Sequence, residues 1–252
     1  MGHGTLYGIG VGPGDPELLT LKAVRVLQEV PVIAIPVAQV NGESYALSVV
    51  TSYLRPDQEL LRLHFPMRRD TVTREAHRRI AADTLAEQLV RGRDVAFLTE
   101  GDPLLHSTLV YVSYHLAAVF PVVIVPGITS FSAAAVDARL PLSQAEERLA
   151  VLPAVFEDWD ELRRTLTDFD TVILLKVQGV LEPLIELLRE MDLLRCAVLV
   201  ERASLAEGRV VRALTLWKGQ SVHYLSLLIV RKGLGPLPVV TGVSESNCGR
   251  WL

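Results

Sequence analysis

Short apolar segments alternate with helix-like segments along most of this chain, and three of the apolar segments end in a turn rich in glycine. These turns read GVGPGDP at Gly10–Pro16, TEGDP at Thr99–Pro103 and VPGITS at Val125–Ser130. Such alternation predicts an α/β fold with parallel pairing, in which ligands collect beyond the carboxyl ends of the strands. Three glycine-containing turns in these positions therefore predict one shared ligand cleft.

The predicted elements fall into two halves, and the second half begins near Phe120. Strands are predicted at Leu6–Val11, Val32–Val37, Glu59–His64, Asp94–Thr99, Val122–Val125, Arg148–Leu152, Thr171–Lys176, Ala197–Glu201, Val210–Ala213 and Val222–Val230. Helices are predicted after Asp15 and at Ser44–Tyr53, Thr71–Arg91, His106–Val119, Thr129–Asp137, Trp159–Thr167 and Val180–Met191. Because the second half ends in closely spaced strands, we expect a mostly parallel sheet followed by a mixed one.

Two helices have predicted apolar faces. Asp15 is suited to cap the first helix, and Pro16 fits its first turn. The face of that helix is predicted from Leu18, Leu21, Val24, Val26 and Leu27. The longest helix, Thr71–Arg91, is predicted to bury Ile80, Leu85 and Leu89, and Gly92 follows as a stop signal.

Composition excludes several classes of protein. Half of the 252 residues are hydrophobic and the net charge is −4, so a packed core is expected and a non-specific nucleic-acid binder is not. The two cysteines make neither a disulfide framework nor a metal site, and none of the six histidines lies in an HExxH pattern, so no metal is predicted. No apolar run reaches the ~20 residues of a membrane span, and no signal-peptide pattern begins the chain, which predicts a cytoplasmic protein.

The first glycine-rich turn does not have the spacing of a dinucleotide site. Counting G-x-G-x-x-G from Gly10 places Asp15 at the last glycine, and counting from Gly8 places Pro13 there. No GK[ST] follows, so the turn is not a Walker A loop either.

The ordered set of segments resembles the tetrapyrrole (corrin/porphyrin) methylase family. The segments are LYGIGVGPGDPELLTLKAVRVL, FLTEGDPLLHST, IVPGITSFSAAA, RLAVLPA, TVILLKV, VERAS and YLSLLIVRKG, and they run from Leu6 to about Gly233. HFPM at His64–Met67 and the RLAVLPA segment resemble the precorrin-2 / cobalt-factor II C20-methyltransferase branch. TEGDP is similar to the precorrin-2 enzymes whereas the following HST is similar to the cobalt-factor II group, so the metal content of the substrate stays open.

The resemblance implies two α/β domains with an active-site cleft between them. The expected boundaries are 1–119 for the N-terminal domain on the tetrapyrrole side, 120–233 for the C-terminal domain on the adenosine side, and an irregular tail at 234–252. It also implies S-adenosyl-L-methionine as methyl donor and a homodimer. The residues that match cofactor-binding positions of the family are Pro13, Glu100, Gly101, Asp102, Leu105, Thr129, Ser130, Lys176, Ala203 and Leu227.

Some of these positions also have a purely structural interpretation. Asp102 suits the cofactor's amino group, but an aspartate before a proline can also close a turn or cap a helix. Thr129 and Ser130 are suited to capping, and Lys176 to a solvent-facing strand end.

The substrate of this branch is a ring with acetate and propionate arms, so arginines are expected to bind it. Pro13, Arg68 and Arg69 are the predicted substrate contacts, because Pro13 borders the cleft by similarity and the two arginines follow FPM directly. Arg62, Arg74, Arg78 and Arg79 lie nearby, and for the last three a solvated helix face is the preferred interpretation.

The predicted reaction is methyl transfer to C20 of precorrin-2 or cobalt-factor II in cobalamin biosynthesis. Direct displacement needs alignment and exclusion of water, and a base can assist by removing a proton. His106 and Glu100 are the candidates, since both flank the cleft motif. Methylation of another corrin position, a diphthine or ribosomal-RNA methylase, and a non-enzymatic binding module on the same fold are the alternatives.

Overall fold

In a computed structural model, the chain folds into two five-stranded sheets with helices around them; the structure describes residues 2–39, 42–66, 70–154, 158–217 and 219–233. The strands are β1 Leu6–Gly10, β2 Val32–Val37, β3 Glu59–His64, β4 Val95–Thr99, β5 Val122–Val125, β6 Leu149–Pro153, β7 Thr171–Leu175, β8 Ala197–Glu201, β9 Arg209–Val211 and β10 Ser226–Arg231. The α-helices are α1 Leu21–Glu29, α2 Tyr45–Val50, α3 Thr71–Val90, α4 Thr108–Leu116, α5 Ser130–Asp137, α6 Trp159–Asp168 and α7 Leu181–Glu190. Short 3-10 helices lie at Pro16–Leu18, Thr51–Tyr53, Leu194–Cys196 and Leu214–Leu216.

The first sheet has the order β3-β2-β4-β1-β5, and all its pairings are parallel. One face packs against α1 and α2, where Ile9, Ile33 and Val26 are buried. The opposite face packs against α3 and α4 around Phe97 and Leu85. Because helices cover both faces, the central strands are apolar along most of their length, as is typical of parallel sheets.

The second sheet has the order β6-β7-β10-β8-β9 and is mixed. β6 and β7 are parallel, whereas β10 runs antiparallel to both β7 and β8. Leu162 of α6 and Leu184 of α7 are buried with Leu174 and Leu228 in a single core. The predicted fold class, a parallel sheet followed by a mixed one, is confirmed.

The chain divides into two compact units. Unit 1 contains Met1–Ala133 and Arg202–Gly208, and unit 2 contains Ala134–Glu201 and the chain from Arg209 onward. This division differs from the expected boundary after residue 119, because β5 pairs with β1 of the first sheet. The expected tail at 234–252 lies outside the described residues.

Several predicted faces and boundaries are wrong for local reasons. Asp15 caps only the 3-10 helix Pro16–Leu18, and α1 starts afresh with Thr20 as its cap, so Leu21 is 90% exposed. In α3 Ile80 is 60% exposed, because the helix turns Ala81 and Ala82 inward together with Leu85 and Leu89.

Two further elements are shorter than the sequence predicts. α4 begins at Thr108 rather than His106, because His106 has a φ of 53° and Ser107 caps the helix. β10 begins at Ser226 rather than Val222, since the backbone N–H of His223 donates to Glu201 Oε1 at 2.8 Å instead of joining the ladder.

Candidate active site

Three loops meet at the carboxyl edge of the first sheet. The first loop (residues 11–15) follows β1, the second loop (residues 100–107) follows β4, and the third loop (residues 126–129) follows β5. These strands are neighbours in the order β4-β1-β5, so parallel pairing brings their ends together. Gly12 and Gly101 exchange backbone hydrogen bonds of 3.3 and 2.8 Å, which join the first two loops directly.

The loops approach so closely that Gly127 must be glycine. A Cβ placed on it would lie 2.8 Å from the Cα and carbonyl carbon of Gly10 and would overlap the carbonyl oxygen of Gly101. These obstacles are backbone atoms of other segments, which cannot turn aside as a flexible side chain can. Gly12 and Gly101 have φ values of 76° and 65°, a region that glycine adopts without strain. Backbone without side chains thus lines the junction of all three loops.

Asp102 ties the second loop to the third. Its Oδ2 accepts a hydrogen bond from Gly127 N at 3.1 Å, and its Oδ1 accepts one from Leu104 N at 2.9 Å. Oδ1 therefore closes the local turn, as the structural interpretation of Asp102 predicts. Oδ2 instead binds a residue 25 positions away in the sequence. A carboxylate offers about four acceptor positions, so Asp102 keeps capacity for a further donor.

Thr129 and Ser130 lie beside this junction. A Cβ built on Gly101 would be 3.9 Å from both Ile128 O and Ser130 N, which puts the second loop next to the start of α5. Thr129 Oγ1 lies 2.8 Å from Ser132 Oγ and accepts from Ser132 N at 3.4 Å, so it helps to cap the helix. The structure therefore brings Gly101, Asp102, Thr129 and Ser130 together.

A segment from late in the chain completes the first loop. This returning segment (Arg202–Gly208) connects β8 to β9 but belongs to unit 1. Ser204 Oγ accepts a hydrogen bond from Asp15 N at 3.2 Å, and Leu205 lies against Gly14. Arg202 and Ser204 have φ values of 50° and 66°, which cost free energy in residues with side chains. Strain of this kind is typical of segments held in place by their surroundings.

Tyr45 supports the same loop from α2. Its hydroxyl donates to Pro13 O at 2.9 Å, and Pro13 itself is buried. Burial of the phenol, with the charges of Glu100 and Glu207 nearby, raises the pKa of Tyr45 to about 12. The phenol therefore remains a hydrogen-bond donor at neutral pH. The sequence marked α2 as a helix but contained no signal that its first residue would reach Pro13.

Glu100 starts the second loop, directly after β4. Its side chain is accessible to solvent, yet the protein that surrounds it removes part of its hydration and thereby raises the pKa of the carboxyl. A side chain in a concave part of the surface can be accessible to solvent and still lose part of its hydration. A carboxylate of raised basicity is suited to accept a proton.

The remaining predicted residues of the second loop and of unit 2 have defined places. His106 is exposed with a positive φ, and Leu105 N donates to Asp102 O at 3.2 Å. In unit 2, Lys176 is exposed directly after β7, and Leu227 of β10 is 4% exposed and opposite Leu175. Lys176 and Leu227 thus lie near one end of the second sheet.

Ala203, the remaining predicted cofactor contact, is 7% exposed in the returning segment. It lies two residues after Glu201, which ends β8. The returning segment itself is part of unit 1.

The predicted substrate arginines Arg68 and Arg69 lie outside the described residues, and so does Met67 of the HFPM segment. Over the ranges that the structure does describe, no group of three histidine, cysteine, aspartate or glutamate side chains could hold a metal ion. In those same ranges no helix is long and apolar enough to cross a membrane. A cytoplasmic location and the absence of a nucleic-acid partner stay predictions.

A parallel sheet with glycine loops gathered at its carboxyl edge is typical of α/β proteins that bind small molecules at that edge. The chain belongs to the tetrapyrrole (corrin/porphyrin) methylase family, whose sequence profile matches residues 5–215. This match confirms the resemblance seen in the sequence.

Similar proteins agree with this membership. The chain is 33% identical over 231 residues to a cobalt-precorrin-2 C(20)-methyltransferase of Salmonella typhimurium, covering 91% of this chain and 97% of that protein. It is 34% identical over 238 residues to a precorrin-2 C(20)-methyltransferase of a Sinorhizobium species, covering 91% and 96%. The crystal structure of uroporphyrin-III C-methyltransferase from Thermus thermophilus in complex with S-adenyl homocysteine superposes with a TM-score of 0.67 at 28% identity, covering 91% and 92%.

Proposed function

We propose that this chain is an S-adenosylmethionine-dependent methyltransferase that methylates C20 of precorrin-2 or of its cobalt-containing counterpart, in cobalamin biosynthesis. The observation that carries the proposal is the similarity, over nine-tenths of the chain, to two enzymes named for that position. The gathered loops supply a physical basis, because they offer a ligand site at the edge where this class of sheet binds its ligands.

The residues at the junction fit the methyl donor chemically. The donor carries a positively charged sulfonium, an ammonium group and a carboxylate. Glu100 and the spare acceptor positions of Asp102 complement its positive groups, while backbone N–H groups near Thr129 and Ser130 suit its carboxylate. Gly101 leaves room for close approach, since a Cβ there would have no neighbour nearer than 3.9 Å. Pro13, Leu105, Lys176, Ala203 and Leu227 are the further proposed contacts.

When bound, the donor supplies a methyl group already activated by its sulfonium. The chain's part is then to align the ring, to exclude water and to accept the proton that C20 loses. We assign the role of proton acceptor to Glu100 rather than to His106, because the surroundings of Glu100 raise the pKa of its carboxyl. The Tyr45 phenol stays protonated and holds the carbonyl of Pro13, which keeps the first loop in position.

The direct test is incubation of the purified chain with S-adenosylmethionine and each of the two rings. We expect one ring to gain a single methyl group, placed at C20 by NMR of the product. Failure to methylate either ring, in an assay where an established C20-methyltransferase works, would refute the proposal. A methyl group at another carbon would be consistent with the family membership but would contradict the proposed C20 position. The two similar relatives differ in the metal content named for their rings, so this experiment also decides between the rings.

Replacing Asp102 by asparagine is expected to weaken binding of the methyl donor. One carboxylate oxygen becomes an amide nitrogen, which cannot accept from Gly127 N or Leu104 N and carries no charge for the ammonium group. Loss of a hydrogen bond to a charged group corresponds to about 1.5–3 kcal/mol, or roughly a ten- to hundred-fold higher Kd. Calorimetric titration with S-adenosylhomocysteine measures it, and the exposed Asp83→Asn on α3 is the matched control.

We also propose that the chain forms a homodimer. The support is a row of apolar side chains on the solvent side of α3, where Val72, Ala76 and Ile80 recur every four residues, with Tyr114 of α4 also exposed. An open hollow of about 460 Å³ lies along Val72 and Ala76. Large exposed apolar patches are uncommon on monomers. Sedimentation equilibrium should give twice the chain mass, and a single-chain mass at micromolar concentration would contradict it.

A further inference from the structure

The arginines between residues 62 and 79 have different surroundings in the structure. Arg62 Nη1 donates to Gly42 O at 2.9 Å. Arg78 lies 3.5 Å above the ring of Tyr111 and pairs with Glu75 at 3.4 Å. Arg79 is largely exposed and reaches the same glutamate at 3.8 Å. Each of these three therefore has a partner within the protein.

Arg74 differs from them. Its Nε is buried and has no hydrogen-bond partner, and no ion pair joins its side chain to an acid within the described part of unit 1. The nearby acid is Asp70, whose oxygens accept from Val72 N at 3.2 Å and Thr73 N at 2.8 Å as the cap of α3. A guanidinium donor buried without an acceptor costs free energy, so this side chain is suited to an acceptor that arrives from outside the chain.

The helical spacing places Arg74 on the inner side of α3. Ala81, Leu85 and Leu89 are buried there, and residues 74 and 78 continue the same row toward the start of the helix. α3 begins just after β3 ends, so its first turns lie at the carboxyl edge of the sheet, where the three loops meet. β3 is two strands from β4, a separation of about 10 Å at the usual strand spacing.

The surroundings of Arg74 are basic. The rings of His64, which ends β3, and His77 are 4.9 Å apart. Arg78 lies one turn further along α3. Of the acids on this stretch of α3, Asp70 is committed to the cap, and Glu75 is shared by Arg78, Arg79 and His115. A ligand with negative charges is favoured at this end of the edge.

We propose that Arg74 binds a carboxylate arm of the tetrapyrrole substrate, and this inference rests on the function proposed above. A planar guanidinium binds a carboxylate through two parallel hydrogen bonds, which fixes the orientation of the arm as well as its position. A ring held by one arm beside β3 can place its reacting edge over the loops after β4 and β1. Arg74 is then a substrate-positioning contact that the sequence did not distinguish from a solvated helix face.

The test compares Arg74→Ala and Arg74→Lys with Arg79→Ala, an exposed arginine of the same helix. Fluorescence titration with uroporphyrin III, a ring bearing carboxylate arms, measures Kd. Initial rates measure KM and kcat for whichever ring the wild-type chain methylates. We expect Arg74→Ala to raise Kd and KM by about ten- to hundred-fold, since the lost bond is to a charged group. The affinity for S-adenosylhomocysteine should not change, and Arg74→Lys should recover part of the loss.

Stability separates this role from a structural one. If Arg74 merely supported the fold, Arg74→Ala would lower the melting temperature and affect both ligands, and that result would overturn the inference. Equal ring affinities for Arg74→Ala and Arg79→Ala would also overturn it, while methylation by the wild-type chain would leave the proposed function intact. If the wild-type chain methylates neither ring, the proposed function fails and the inference fails with it.

Discussion

A Gly127→Ala variant is expected to lose most of its methyltransferase activity. The added Cβ would lie 2.8 Å from backbone atoms of Gly10 and closer still to the carbonyl of Gly101, so three loops would have to separate to admit one carbon. Such overpacking costs about 1–3 kcal/mol of unfolding free energy. Displacement of the aligned groups by about 1 Å can lower the rate roughly 100-fold. Urea unfolding and steady-state rates with S-adenosylmethionine measure the two effects.

Gly2→Ala is the matched control for this variant, since a Cβ at Gly2 would have no atom within 4 Å. It should retain wild-type stability and rates. If Gly127→Ala also retained both, the close approach of the loops would not be required for function, and the proposed site would need another location.

A Glu100→Gln variant is expected to lower kcat by about 100- to 10,000-fold with little change in the KM of the tetrapyrrole ring, if Glu100 accepts the proton from C20. The substitution keeps the shape of the side chain and removes its basicity. Wild-type kcat should fall as the pH drops through the raised pKa of Glu100, because only the carboxylate can accept a proton. The variant should lack this pH dependence. Glu17→Gln, in the exposed 3-10 helix after the first loop, is the control and should behave like wild type.

The raised pKa of Glu100 also predicts how Glu100→Gln changes the free energy of unfolding. Its pKa in the folded protein is above the unfolded value, so folding favours the protonated form. This contribution is complete below the unfolded pKa and is lost as the pH rises through the folded one. Above that pH, Glu100→Gln should therefore be at least as stable as wild type, which chemical unfolding at neutral pH measures. A loss of stability there would show that the charged carboxylate supports the fold.

Most of the first sheet could be predicted because its signals are local. β2, β3 and β5 have the predicted bounds, since each is a short segment of strand-forming residues between turns. The nearness of the Gly101–Asp102 turn to Ser130 follows from the order of strands in a parallel sheet. The sequence predicts His106 within a helix, because no neighbouring residue signals a positive φ. The apolar pattern predicts a buried Ile80, because it ranks residues by hydrophobicity and gives no weight to the small side chains of Ala81 and Ala82.

The contacts that complete the site could not be predicted, because they join distant parts of the chain. Asp15 N and Ser204 Oγ are 189 residues apart, and Tyr45 reaches Pro13 across 32 residues. Neither pair has a characteristic motif at either end. Arg74 could not be singled out either, because it lies in a stretch rich in arginine. It differs from the neighbouring arginines in that its buried Nε has no hydrogen-bond partner.

The returning segment has a consequence for biosynthesis. Its residues are translated after most of the second sheet, yet they supply the acceptor for Asp15 and the side chain that covers Gly14. A nascent polypeptide that has emerged from the ribosome only as far as α5 therefore contains every strand of the first sheet but lacks the segment that contacts the first loop. Since domains generally fold in the order in which they are synthesised, the first loop gains these two contacts only after β8 has been made.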